Sequence, residues 1–235
     1  MARKIEVCLS PQLLELYDLS NNIVVVADIF RATTTMITAL SCGVSSIKAV
    51  STIEEAFHLR NYGYLIAGER GGRKVDGFDF GNSPFDFIDK SLNGSSVAIT
   101  TTNGTLSINK SSMAKHQIIG SFNNISATAD YLKDQGEDVL ILCAGWKGAV
   151  NLEDTIFAGA LINALESDYH ENSDSGAIAL SLYLHHQNDL LSYLIDSDHA
   201  MRLKRIGYEK DISFCLQKDT QTIVGVVKNG EIVAQ

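Results

Sequence analysis

IVVVADIFRATTTMITALSCG, residues 23–43, reads as a strand that delivers the chain directly into a helix. Ile23–Ile29 is strongly β-branched, the composition that suits a pleated, packed surface. Beyond Arg31 the apolar residues fall at Met36, Ile37 and Leu40, a helical spacing that Gly43 closes. Asp28 stands at the junction, followed by Arg31, Thr33, Thr34 and Thr35.

The same alternation runs along most of the chain. Strands are expected at Ile5–Leu9, Val44–Val50, Tyr64–Ala67, Val97–Thr100, Gln117–Gly120 and Val139–Ala144. Ser10-Pro11 reads as a helix start, and Thr52 with Glu55 forms a capping box for a helix reaching Arg60. A short helix follows Thr101–Thr105, and longer ones are expected over Asn124–Gln135 and Leu152–Leu165. From Ser167 to about Arg205 the pattern is mainly helical. Thr222–Lys228 and Glu231–Ala234 flank Asn229-Gly230, a strong hairpin signal. Alternation of this kind predicts an α/β fold: a largely parallel or mixed sheet flanked by helices, with a C-terminal β-hairpin. The expected organisation is one domain over 1–235, with two lobes (about 1–120 and 121–235) as a variant.

Composition narrows the function. A net charge of −9 argues against a nucleic-acid partner, which calls for a basic face. The most basic cluster, Arg202 to Arg205, reads as a solvated helix face. No stretch approaches the ~20 apolar residues of a membrane span. The four cysteines form no C-x-x-C pair, which argues against a zinc ribbon or a thioredoxin-like site. With no long apolar run near the N-terminus either, the expected setting is cytoplasmic with reduced thiols. A homodimer is the base-rate expectation for assembly.

Ligands of such folds sit beyond the carboxyl ends of the strands, and the polar residues concentrate there. Asp28, Arg31 and the hydroxyls of Thr33 and Thr34 suit a metal ion or an oxyanion at a helix start. Gly68-Glu69-Arg70-Gly71-Gly72 opens a long loop, Gly68 to Pro84, that ends in Gly81-Asn82-Ser83-Pro84. Thr100–Thr105, with Thr101 and Asn103, is a hydroxyl-rich turn able to nest an anion. Glu153-Asp154 supplies either a metal carboxylate or ordinary first-turn acids. Cys143 reads as an inert core thiol, His185, His186 and His199 as surface or packing residues, and Trp146 as either pocket lining or core. Walker-type and G-x-S-x-G motifs are absent from the sequence.

The ordered series DIFRATTT (28–35), GERGG (68–72), GFDFGNSP (77–84), TTTNGT (100–105), GSFNN (120–124) and CAG…NLED (143–154) resembles the 2-phosphosulfolactate phosphatase family, the ComB-like proteins. The resemblance covers about residues 5–165. It implies an α/β fold of its own and Mg²⁺-dependent hydrolysis of 2-phospho-3-sulfolactate to 3-sulfolactate and phosphate, a step that could feed coenzyme M synthesis. The expected catalytic residues are Asp28, Arg31, Glu69 and Arg70. Thr33, Thr34, Asn82, Ser83, Thr101 and Asn103 are expected to bind substrate, and Asp28, Glu69 and Asp154 to hold Mg²⁺. A small phosphorylated sulfonate or carboxylate is the expected partner. Attack by water is favoured over a phospho-aspartate. The rival readings are a phosphatase for another carboxylated ester and a non-catalytic binder of a phosphorylated metabolite.

Overall fold

The computed structural model describes residues 3–88, 91–171 and 173–235. Among these residues the strands are β1 (Arg3–Cys8), β2 (Asn22–Ala27), β3 (Ser46–Ala49), β4 (Leu65–Arg70), β5 (Arg73–Lys74), β6 (Ser96–Thr100), β7 (His116–Gly120), β8 (Asp138–Cys143), β9 (Tyr169–Glu171), β10 (Gly225–Lys228) and β11 (Glu231–Ala234). The helices are α1 (Ala32–Ser41), α2 (Ile53–Arg60), α3 (Gly104–Lys110), α4 (Ile125–Gln135), α5 (Leu152–Leu165), α6 (Asp174–His186), α7 (Leu190–Leu194), α8 (Asp198–Arg205) and α9 (Glu209–Cys215). No helix among them is long and apolar enough to cross a membrane.

The strands form one mixed sheet in the order β5-β4-β6-β3-β11-β10-β7-β2-β8-β1-β9. Two parallel blocks make up most of it: β4-β6-β3, and β7-β2-β8-β1-β9. The C-terminal hairpin lies between them, antiparallel to β7 on one side and to β3 on the other. Its turn residues Asn229 and Gly230 both have positive φ, 53° and 79°, as a tight two-residue hairpin requires.

Three successive antiparallel pairings reverse the strand direction between the blocks. In a flat sheet that reversal would send their carboxyl ends to opposite edges. Sheets twist by roughly 20–25° per pairing, so the five steps from β2 to β6 accumulate about 100–125° and swing those ends toward each other. The core reflects the wrap. One cluster around Met36, Ile37 and Leu40 of α1 takes Val24, Val26, Leu140 and Leu142 from one block and Ile47, Val97 and Ile99 from the other. The outer faces have separate cores. Ile23, Val25 and Ala27 pack toward α4, α5 and α6, whereas Ile66 and Ala98 pack toward Ala56 of α2.

Three local expectations change. No α-helix starts at Ser10: its hydroxyl accepts from the Gln12 amide (3.3 Å) and donates to the Gly148 carbonyl (2.8 Å), which makes a turn. Only a short 3-10 segment, Leu14–Leu16, follows. The loop from Gly68 is partly sheet, because β4 continues to Arg70 and turns through Gly71 and Gly72 (φ 62° and 83°) into β5. Within the region expected to be helical, Tyr169–Glu171 pairs with β1 as an edge strand.

Candidate active site

The chain leaves β2 at Ala27 and places Asp28 in the lining of a cleft that it shares with Arg31, Glu69, Asn82 and His199. The loop that carries Asp28 is pinned by its own threonines. The Thr33 hydroxyl accepts from the Asp28 amide (3.1 Å) and donates to the Asp28 carbonyl (3.0 Å), and the Thr34 hydroxyl donates to the Ile29 carbonyl (3.1 Å). Both threonines are fully buried and neither lines the cleft. Asp154 also sits behind the wall. Its carboxylate accepts from the Ile29 amide (2.8 Å) and the Gly145 amide (2.9 Å), tying together the ends of β2 and β8. Burial first, then Glu153 and Asp28, hold the Asp154 carboxyl well above the usual carboxylate range.

Arg31 enters the cleft as a buried guanidinium. It donates to Asp211 of α9 (2.9 Å) and to the Gly72 carbonyl (2.7 Å), and its guanidinium carbon lies 4.1 Å from the centre of the Tyr208 ring. Ser83 donates to the other Asp211 oxygen (2.9 Å) and so braces Arg31 from outside the cleft. Glu69 lines the cleft with its carboxylate engaged, by the Gly72 amide (2.6 Å) and by the Thr102 amide and hydroxyl (2.7 and 2.8 Å). Arg70 turns outward instead. It is exposed and donates to the Glu69 carbonyl and to Thr100 Oγ1, so it does not face the cleft.

Asn82, Thr101 and Asn103 complete the wall that the second strand block contributes. Asn103 Oδ1 accepts from the Lys147 amide (3.2 Å), and Thr101 Oγ1 from the Thr105 amide (3.2 Å). Asn82 Oδ1 is buried and has no hydrogen-bond partner among the described residues. Gly104, at the start of α3, lets the two blocks meet. A Cβ there would lie 2.6 Å from the Ala32 Cβ and 2.9 Å from Asp28 Oδ2.

The far wall comes from residues to which the sequence reading gave no chemical role. His199 and Arg202, three residues apart on one face of α8, both line the cleft with Trp146. His199 Nδ1 lies 2.6 Å from Glu153 Oε1, which leaves Nε2 as the ring nitrogen available to the cleft. The other Glu153 oxygen is buried and unpartnered among the described residues. The basic cluster at 202–205 is therefore split: Arg202 turns to the cleft and Arg205 to solvent. The face that His199 and Arg202 share with Ile206 was a legible signal, since positions 199, 202 and 206 follow helical spacing. Asp28 feels this wall. Burial pushes its carboxyl up to about 6, the nearby His199 opposing the shift and Glu69 adding to it.

The expected three-acid metal shell is not formed, since Asp154 is removed from the cleft by its two backbone bonds. Among the described residues no three His, Cys, Asp or Glu side chains come together as a metal cage. Magnesium asks for less, because it keeps several waters and usually takes only one or two carboxylates beside a substrate phosphate. Asp28, Glu69 and the unpartnered Asn82 Oδ1 supply that minimum, so these residues fit the ion.

The chain is similar in sequence to proteins of one family. Residues 8–230 match the 2-phosphosulpholactate phosphatase family. A protein of Caldanaerobacter subterraneus subsp. tengcongensis is 38% identical over 219 residues, covering 91% of this chain and 90% of its own. One from Thermotoga petrophila is 40% identical over 210 residues (89% and 90%), and one from Carboxydothermus hydrogenoformans 37% over 237 residues (99% and 97%). All three carry the name "Probable 2-phosphosulfolactate phosphatase". With the match running through nearly every element that builds the cleft, the chain belongs to the 2-phosphosulfolactate phosphatase family.

Proposed function

We propose that the cleft hydrolyses 2-phospho-3-sulfolactate to 3-sulfolactate and inorganic phosphate. The observation that carries the reading is the meeting, in one cleft, of a buried carboxyl, a braced guanidinium and an unpartnered amide oxygen: Asp28, Arg31 and Asn82. Two of the five donors of Arg31 are committed to Asp211 and Gly72, and the remainder bind the phosphoryl oxygens. Asp28 orients the attacking water and takes its proton as the new bond to phosphorus forms. The ester P–O bond breaks, and His199 Nε2 supplies a proton to the departing alkoxide oxygen while Glu153 fixes the ring through Nδ1. Phosphoryl transfer depends chiefly on positioning and charge neutralisation, which this inventory provides.

Mg²⁺ is part of the proposal. Asp28 and Asn82, with Glu69 beside them, would hold it, and when bound it would neutralise phosphoryl charge and polarise the ester. The buried, unbridged Cys8, Cys143 and Cys215 suit a cytoplasmic setting. A homodimer belongs to the reading on the general prevalence of two-fold assemblies, and analytical ultracentrifugation checks it. The decisive assay is phosphate release from 2-phosphosulfolactate, with Mg²⁺ supplied and with a chelator present. Turnover that requires the ion supports the proposal, and no release from this ester under either condition removes it.

A further inference from the structure

Among the described residues two arginines line the cleft, and they differ in what they touch. Arg31 is committed to Asp211 and the Gly72 carbonyl. Arg202 lies over the Trp146 ring, its guanidinium carbon 4.4 Å from the ring centre, and its Nη2 is buried without a hydrogen-bond partner among the described residues. A buried guanidinium nitrogen left unpaired is costly in the free protein, and a bound oxyanion would relieve that cost. Trp146 holds the planar group in place, so little side-chain freedom is lost when an anion binds.

We propose that Arg202, on its Trp146 platform, is the subsite for the sulfonate of the substrate. The inference rests on the reading above, which places the phosphoryl group at Asp28, Asn82 and Arg31. The substrate then spans the cleft, its reacting end against the strand blocks and its sulfonate against α8. A sulfonate offers three equivalent oxygens that a guanidinium fork can meet in pairs, and it stays ionised at any working pH. Its weak hydration matches that of the guanidinium and of the indole face better than the strongly hydrated carboxylate does. Because His199 sits one turn earlier on α8, an anion anchored at Arg202 also seats the proton donor over the ester oxygen.

The test compares 2-phosphosulfolactate with 2-phospholactate, which lacks only the sulfonate, in wild type, Arg202→Lys and Arg202→Met. Loss of a charge-assisted paired contact corresponds to about 30-fold. The wild-type preference in kcat/KM for the sulfonated ester is expected to fall by about that factor in both variants. Calorimetric affinity for 3-sulfolactate is expected to fall in parallel, and affinity for inorganic phosphate to move far less. Equal losses on the two esters, or sulfolactate and phosphate binding weakening together, would mean that Arg202 meets the carboxylate or merely holds the wall, and would overturn the proposal. If Arg202→Met does not fold, Arg202→Lys decides alone, since it keeps the charge and loses the fork. If wild type hydrolyses neither ester, the phosphatase reading falls while the sulfolactate titration still decides the subsite. Binding that Arg202→Lys loses upholds it, and binding that is unchanged, or absent in wild type, overturns it.

Discussion

Asp28 is buried among groups that disagree about its charge. Burial and Glu69 favour the neutral acid, whereas His199 and the Ala32 amide favour the carboxylate, and the balance leaves its pKa raised to about 6. A carboxyl that titrates near 6 when folded and near 4 when unfolded favours the fold while it is protonated. Its contribution is full below about pH 4, shrinks as the pH rises, and is lost above about 6. Asp28→Asn removes that loss. We expect the variant to be more stable than wild type at pH 7–8 by roughly 1–3 kcal/mol, with a flatter dependence of Tm on pH between 4 and 6, and to have no measurable turnover. Thermal melts across that range check the sign: a variant less stable at pH 8 would contradict the electrostatics. The wild-type rate should also decline as pH drops below about 6, because the carboxylate is the form that accepts the water's proton. His199 is tested through its leaving group. His199→Gln should lower kcat on the alkyl ester by roughly 100-fold or more, and much less on an aryl ester whose leaving oxygen needs no proton. Equal losses on both esters would remove it as the acid.

At the scale of elements, the site depends on how closely α3 approaches the start of α1. Gly104 is not in a left-handed conformation, so alanine is allowed there by its backbone, and the obstacle is the Ala32 Cβ and Asp28 Oδ2. Gly104→Ala should therefore fold, push α3 away from Asp28 and lower kcat/KM by roughly 10-fold or more, since misplacement of reacting groups on the ångström scale carries such losses. Near-normal kcat/KM in a folded Gly104→Ala protein would show that the two blocks do not need this contact. The junction of β2 and α1 was readable because a β-branched run met helical spacing at Asp28. The Thr52–Glu55 capping box forms as read, with Thr52 accepting from the Glu55 amide. The functions of Thr33, Thr34 and Asp154 were not readable, because a side chain that braces a loop and one that binds a ligand are spelled with the same letters. Arg70 and Arg202 make the same point in reverse. The arginine beside the glycines turned out to face solvent, and the one in a basic cluster turned out to face the cleft.

For the whole molecule, the C-terminal hairpin is the keystone of the sheet and not an appendage. It supplies both strands between the two parallel blocks, and Val226 and Ile232 are buried in separate cores. Deleting residues 225–235 should leave β7 and β3 with unpaired edges and yield insoluble protein, which soluble expression with far-UV circular dichroism will show. A folded truncate would mean that the blocks can close without it. The hairpin itself was legible from Asn229-Gly230, but its place was not. Periodicity reports which faces are covered and says nothing about which strands become neighbours or in which direction they run. The convergence of the two rims, on which the site depends, is a product of sheet twist that appears only in three dimensions. It is tested most directly by the crystal structure of Asp28→Asn soaked with 2-phosphosulfolactate and Mg²⁺. The structure should show the phosphoryl group between residue 28, Asn82 and Arg31, with the ester oxygen toward His199. A ligand bound elsewhere, or touching only one of the two strand blocks, would contradict it.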